Sequence, residues 1–381
     1  MAQAQEFQLK IKDSPGQESS HGESCEGQAN VGPKKRRGGV RRWLPLLVDM
    51  LMLLVGEAMA PLLSRVYYNS GGKSLWMATL AQSAGAPLLA IPLILTPRAA
   101  AGEPRPALWK MVAICVGLGV LIGCDNFMYS YAMLCLPVST FSLVAATQLA
   151  FNAVTSRLIN AQRFTALILN SVVVLTFSAA LLGVDSDSSS SDDGGGSVVP
   201  RGKHAAGVVL TLSASAVYAL IMSLFEVTFE KVIRATTPRW VLKMQIFTSA
   251  VATAVSAAAL LASGEWRTIH GEAAAFKNGE ASYVATVVGI AVGWQAAELG
   301  AVRLVARVSS LFANVTGTLA LPLVPVLAVA VFGDKMTGTK AVAMLMAVWG
   351  FLSYVYHHYL DARRATARPC CSVCTERMAN V

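Results

Sequence analysis

Ten apolar segments of near-membrane length leave this chain few ways to fold. They cover 43–64, 75–96, 108–132, 137–157, 164–184, 205–230, 239–262, 281–302, 307–332 and 338–360. A helix needs about 20 such residues to cross a bilayer. In hydrocarbon each backbone N–H and C=O must be satisfied inside its own segment, so every one of these runs is expected to be a helix. Composition agrees: 54% of residues are hydrophobic, 14% are charged and the mean hydropathy is +0.53. A soluble domain carries about 25% charged residues. The expected fold class is an all-α integral membrane protein with ten transmembrane helices.

The basic residues predict an orientation. Residues 1–42 are polar, hold no apolar run of the kind a cleavable leader needs, and end in Lys34-Lys35-Arg36-Arg37 and Arg41-Arg42. Such a run can serve as a nuclear signal, but directly before an apolar helix it reads as a cytoplasmic flank. With the N-terminus in the cytoplasm, 23 of the 31 Lys and Arg residues fall on the inner side and eight on the outer. That bias predicts ten spans with both termini cytoplasmic. It also accounts for the net charge of +9 without a nucleic-acid partner.

The chain divides accordingly. A basic N-tail covers 1–42, five helices lie in 43–184, a linker covers 185–204, five more helices lie in 205–360, and a C-tail covers 361–381. The stretch 185–203 contains DSDSSSSDDGGGS, whose acidic, Gly/Ser-rich composition predicts a disordered linker. No ligand spacing supports a metal-binding loop there. The seven cysteines do not form a disulfide framework. Cys370, Cys371 and Cys374 give a CCxxC half-site without a second pair, so palmitoylation or no role fits better than zinc. No cofactor or metal is expected.

An internal repeat refines the architecture. CLPVSTFSLV at 135–144 resembles VARVSSLFAN at 305–314, an offset of 170. Asp334-Lys335-Met336-Thr337 resembles Gln162-Arg163-Phe164-Thr165, an offset of 172. Both matches pair the same segments of the two halves. Five spans per half make the second half inverted relative to the first, which is a transporter architecture with its site near the midplane between the halves. Pro322 and Pro325 predict a kink in the ninth span, because each removes a helical hydrogen bond.

Polar groups inside spans need partners, protein or water. In the stretch Asp125 to Leu158, Gln148, Asn152 and Thr155 sit at i, i+4 and i+7 and share one helical face. Two readings fit: hydrogen bonds between helices, or the lining of a substrate pathway. Five carboxyls also lie in spans. Asp49 is expected to reach the interface, and Glu226 to pair with a cytoplasmic Lys such as Lys231. Glu57 and Asp125 are the leading candidates for carrying a proton, with Glu298 next, because Arg303 and Arg307 lie close enough in sequence to pair with Glu298. The repeat offset places Asp125 opposite Gln295, with Asn126, Tyr129 and Trp294 as neighbours. Amides pair with a base edge such as adenine's, and aromatic rings stack on a flat heterocycle. No stripe of mid-membrane Arg or Lys suits a phosphate. The five histidines lie in tails, loops or span ends, so no Ser/His/Asp set or metal cluster assembles and an enzyme is not expected.

At these residues the sequence resembles the plant purine permeases of the drug/metabolite transporter superfamily. The resemblance rests on an ordered set of stretches. These are LLSRVYYNSGGKSLWMATLAQSAGAP at 62–87, YSYAMLCLPVSTFSLVAATQLAFNAV, NSVVVLTFSAALLGV at 170–184, LKMQIFTSAVAT, YVATVVGIAVGWQ, VSSLFANV, LPLVPVLAV and WGFLSYVYHHYLD. Together they extend from about Trp43 to Asp361. The resemblance implies proton-coupled uptake of adenine-like bases, cytokinins and related heterocycles across a plant membrane, the plasma membrane first and an endomembrane as the alternative. Glu57, Glu226, Glu298 and Arg303 stand as charges where the family pattern is uncharged.

The expected protein is therefore a two-repeat, ten-helix transporter of purine-type bases working by alternating access. Substrate contacts are expected from Glu57, Asp125, Asn126, Gln148, Asn152, Trp294 and Gln295, and proton coupling from Glu57, Asp125 or Glu298. The alternatives are a nucleotide-sugar or organophosphate exchanger of the same superfamily and a non-transporting membrane receptor. The oligomeric state is not legible.

Overall fold

A computed structural model describes residues 38–96, 107–135, 144–145, 147–161, 165–190, 201–234, 237–320, 323 and 337–367. Among them helices are the only regular secondary structure. In order they are α1 (Gly38–Asn69), α2 (Leu75–Ser83), α3 (Ala90–Leu95), α4 (Leu108–Cys135), α5 (Thr147–Leu158) and α6 (Ala166–Ser190). The second half of the sequence contributes α7 (Arg201–Val227), α8 (Pro238–Ser263), α9 (Ile269–Ala274), α10 (Gly279–Arg307), α11 (Ser310–Thr318) and α12 (Gly338–Ala367).

Six helical stretches are long and apolar enough to cross a membrane: Leu44–Asn69, Leu75–Leu95, Leu108–Cys135, Ala206–Ile233, Pro238–Ser263 and Gly279–Arg307. Two shorter apolar helices, Ala166–Ser178 and Ala341–His357, accompany them. Large apolar side chains such as Ile94, Phe177, Leu345 and Trp349 point away from the protein. In water such a surface would be costly, but in lipid it is the outer face of a membrane protein.

Several boundaries differ from the sequence reading. The segment 75–96 is not one helix. α2 stops at Ser83, a 3-10 turn follows at Ala86–Leu89, and α3 resumes at Ala90. The cause is Pro87, which lacks the N–H that would bond the Ser83 carbonyl. That carbonyl instead accepts from the Thr253 hydroxyl of α8 at 2.9 Å. Arg307, expected in the ninth span, ends α10, and α11 opens at Ser310 after an N-cap in which the Ser309 hydroxyl accepts from Phe312 N at 3.1 Å. α6 runs on to Ser190, into the stretch expected to be a linker, and α7 starts at Arg201. Past Val227 the chain continues as a π-turn, Thr228–Ile233, which ends at Arg234 in the left-handed region (φ 53°). Both N- and C-terminal tail ends, the middle of the linker, most of the 135–144 repeat, and Pro322 and Pro325 lie outside the described residues.

Helix packing does not follow the order of the sequence. α1 lies along α10, α4 packs on α7 and α8, α5 on α7, and α6 on α12. Each of these contacts joins one helix from each half of the sequence. At the α1–α10 seam the backbones nearly touch: a Cβ on Gly56 would lie 2.5 Å from Ala297 N and 2.6 Å from Gly293 O. Small residues make such an approach possible, and dispersion rather than the hydrophobic effect then holds helices together in lipid. Near the ends of these helices, the turn before α2 is clasped by the segment after α8. Glu272 accepts from the Tyr67 hydroxyl and from Ser74 N (3.1 Å), and Glu265 accepts from Ser74 Oγ (2.6 Å) and Trp76 N (3.2 Å).

Candidate functional site

The polar interior begins on α1. Pro61 removes the donor that would bond the Glu57 carbonyl, and the Glu57 side chain lies deep in the bundle while retaining accessible surface. Tyr129 of α4, Tyr218 of α7 and Glu298 of α10 share that property. Side chains that are surrounded by protein and still accessible border an internal space. Glu57, Asp125 and Glu298 are all electrostatic neighbours of Tyr218, and Glu298 is a neighbour of both other carboxyls. Three helices of different sequence origin thus bring three carboxyls to one place.

Three expectations about these charges are corrected. Arg303 and Arg307 do not pair with Glu298. Both grip Asp49, at 2.7 and 2.9 Å, and Asp49 is completely buried rather than reaching the interface. Glu298 accepts from Gln245 Nε2 at 2.7 Å and from Ser249 Oγ at 3.3 Å, both on α8. Glu226 is bonded not to Lys231 but to Asn160 Nδ2 (2.6 Å) and Ser310 N (2.8 Å). The carboxyl group at the centre is left without the two arginines nearest in sequence. A site of this kind favours a neutral or electron-poor ligand over an anion.

The stripe on α5 splits into two parts. Gln148, half-buried, accepts from the Tyr129 hydroxyl at Oε1 (2.9 Å) and donates from Nε2 to Asn314 Oδ1 (3.0 Å). These two bonds fix which way its amide faces. Asn152 is fully buried and donates to the Ser310 carbonyl (3.0 Å), while Thr155 accepts from Ser223 Oγ (2.9 Å). Gln148, at the start of the stripe, thus lies beside Tyr129, while Asn152 and Thr155 bond α5 to α11 and α7. Asn126 likewise ties α4 to α2, donating to Ser83 Oγ at 2.9 Å.

Gln295 and Trp294 sit on α10 one turn from Glu298. Gln295 is 2% exposed, neither of its amide atoms has a hydrogen-bond partner, and its Cβ and Cγ press against Gly85 at the α2 break. An unpaired buried amide costs about 1–3 kcal/mol. Asp125 Oδ1 and Trp294 Nε1 are buried without partners too. Such groups have hydrogen bonds left to give to a ligand.

Sequence reading missed Tyr218, Asn314 and Gln245 as site residues. Tyr218 carried no signal beyond being an aromatic in a span. Asn314 sits in the second copy of the repeat, and its position on the Gln148 face was legible only once α5 and α11 were adjacent. Among the described residues no cluster of His, Cys, Asp and Glu could hold a metal ion.

Comparisons with known proteins agree on one family. Residues 44–364 match the family described as purine nucleobase transmembrane transport. The chain is 51% identical over 322 residues to Probable purine permease 11 of Arabidopsis thaliana, covering 84% of each. It is 44% identical over 319 residues to Probable purine permease 13 of the same plant, covering 84% of this chain and 87% of that one. Purine permease 21, also from Arabidopsis thaliana, is 40% identical over 325 residues, covering 84% and 82%. A crystal structure superposes with a TM-score of 0.55 at 16% identity, covering 84% of this chain and 97% of that chain, which shows a shared fold alone.

Proposed function

The chain belongs to the purine nucleobase transport family, a family of transporters rather than enzymes, and we propose that it carries a purine-type base across a plant membrane by proton-coupled alternating access. The observation that supports this reading best is the meeting of Glu57, Tyr129, Gln148, Tyr218 and Glu298 around one internal space. Carboxyls and amides there match the donors and acceptors on the edge of a nitrogenous ring. Trp294, Tyr129 and Tyr218 offer faces for stacking.

We assign substrate contact to Glu57, Asp125, Gln148, Trp294 and Gln295. Asn126 and Asn152 act by holding α4 and α5 in register with α2 and α11, in line with their bonds to Ser83 and Ser310. The proton binds a carboxyl of the group Glu57, Asp125 and Glu298, because like charges held in one low-dielectric place do not all ionise together.

The same proposal includes ten transmembrane helices in two inverted repeats, 43–184 and 205–360, joined by a linker at 185–204, with cytoplasmic tails at 1–42 and 361–381 and a plasma-membrane location. The packing supports it: α1 on α10 and α4 on α7 are the first and third helices of one half against the third and first of the other. A pseudo-two-fold axis in the membrane plane relates pairs of that kind. Substrate then lies between helix groups that each draw on both repeats, rather than between one sequence half and the other.

The test is uptake of labelled adenine and of a labelled cytokinin into proteoliposomes, with and without an inward proton gradient. Accumulation that depends on the gradient is the expected result. Binding without flux would favour a receptor, and flux of nucleotide sugars instead would favour the exchanger reading.

A further inference from the structure

Two kinds of seam join the helices around the site. The α1–α10 seam is made of Gly56, Ala60, Gly293 and Ala297 at backbone contact. It is further fastened by Asp49 to Arg303 and Arg307. Parting it would expose bare backbone and a buried charge. The seam between α11 and the pair α5 and α7 is different, because hydrogen bonds close it at both ends, with Leu149 and Ala153 of α5 in the same apolar cluster as Leu311, Phe312 and Val315 of α11. It starts at the site with Gln148 and Asn314, and it ends where α5, α7 and α11 converge on Ser310.

Ser310, the first residue of α11, uses every polar group it has. Its N–H donates to Glu226 Oε2 of α7 at 2.8 Å, and its carbonyl accepts from Asn152 at 3.0 Å. Its hydroxyl bonds Ser156 at 3.0 Å and accepts from Asn160 Nδ2 at 3.2 Å. Asn160 Nδ2 also donates to the same Glu226 oxygen at 2.6 Å. Ser310 and Ser156 are completely buried, and Glu226 is 3% exposed. α11 already has a cap from the residue just before it, Ser309. Glu226 adds a second from a different helix, on the far side of the seam.

We propose that Glu226 is a positioning residue for transport: it latches α11 to α5 and α7 and so closes the route from the site at this end, which the charge bias assigns to the cytoplasm. The latch opens when Ser310 leaves Glu226 and Asn160. The short elbow Val308–Ser309 lets α11 swing, while Asp49 keeps α10 seated on α1. A seam hydrogen-bonded at both ends suits this role physically. When it parts, each of its donors and acceptors finds water in the opened path, whereas a seam of packed backbone would find none. The inference rests on the alternating-access reading but not on the identity of the substrate.

The test measures accessibility without any substrate. In a cysteine-depleted background, Gln148→Cys reports on the site, and a membrane-impermeant maleimide is added from the side of the tails. Glu226→Ala should raise the labelling rate roughly tenfold, as loss of a charge-assisted hydrogen bond shifts the closed-to-open ratio by about that factor. Glu226→Gln, which keeps an acceptor, should raise it less. An unchanged rate in folded protein, or a rise only from the opposite side, overturns the latch. If Glu226→Ala does not fold, a second arm decides. Asn160→Cys with Ser310→Cys, joined by a short thiol crosslinker, should abolish counterflow, and cleavage of the linker should restore it. Crosslinked protein that still exchanges at the uncrosslinked rate overturns the proposal. Should purine uptake be absent while labelling responds as expected, the latch stands and the substrate reading falls.

Discussion

Gln148 and Asn314 stand 166 positions apart in the chain, yet Gln148 Nε2 donates to Asn314 Oδ1 at 3.0 Å and Asn314 Nδ2 returns to the Gln148 carbonyl at 3.4 Å. With Tyr129 donating to Gln148 Oε1, the amide can face only one way. A fixed amide holds the second Nε2 hydrogen of Gln148 in one direction. That is the difference between a polar residue that fills a gap and one that discriminates between ligands.

Gln148→Leu should weaken apparent affinity for the transported base roughly tenfold, the effect of losing one hydrogen bond and stranding its partners. Amounts of protein at the membrane should stay near wild type. Uptake kinetics on the variant decide this, and an unchanged apparent affinity would return Gln148 to a role in helix packing.

Glu57→Gln and Asp125→Asn keep hydrogen bonding but remove ionisation. If either carries the coupling proton, net uptake in that variant should stop responding to an inward proton gradient, while exchange of labelled for unlabelled base continues. The pH dependence of uptake between pH 5 and pH 8 provides the readout, on the order of the range in which a coupling group must change state. Wild-type pH dependence in both variants would move the assignment to Glu298, whose carboxyl is held by Gln245 and Ser249.

Gly56→Ala should destabilise the protein by about 1–3 kcal/mol, the usual cost of overpacking a tight contact. Its Cβ would meet the Ala297 backbone at 2.5 Å, which no side-chain rotation relieves. Gly117→Ala on α4 is the matched control, because nothing lies within 4 Å of its added Cβ. Thermal unfolding of both variants in detergent should show a lower midpoint for Gly56→Ala alone.

Asp49→Ala leaves Arg303 and Arg307 facing each other without their shared carboxylate. Removing one partner of a buried ion pair costs about 3–5 kcal/mol, and the partial exposure of both arginine side chains lowers this toward the ~1 kcal/mol of a surface pair. Replacing both arginines by Met in the same variant should recover part of the loss. Thermal midpoints of the single and triple variants check it, and equal midpoints would show that the triad contributes little.

An epitope inserted in 185–203 and one at the C-terminus should be accessible from opposite sides of the membrane. Antibody labelling of intact and permeabilised cells tests this directly. Exposure of both on one side would rule out ten spans with cytoplasmic termini.

The sequence by itself determined that the chain is helical and that its helices are apolar enough for a membrane. Apolar runs near 20 residues dictate helices in lipid, because no other local structure satisfies the backbone there. The break at Pro87 was legible in principle from the residue type, though 75–96 read as one helix. The α5 stripe was legible because 3.6-residue periodicity places Gln148, Asn152 and Thr155 on one face whatever that face meets. What only the tertiary structure decided is which groups meet: Asp49 with Arg303 and Arg307, Glu298 with Gln245, Glu226 with Ser310, Gln148 with Asn314. Proximity in sequence pointed Arg303 at Glu298 and Lys231 at Glu226, and both pairings were wrong. The reason lies in the bilayer. A soluble helix marks its buried face by contrast with a polar one, but a membrane helix is apolar on its lipid side and its protein side alike. The order and rotation of the helices therefore leave little trace in any single segment, and they set the partners of each polar group only when the helices pack.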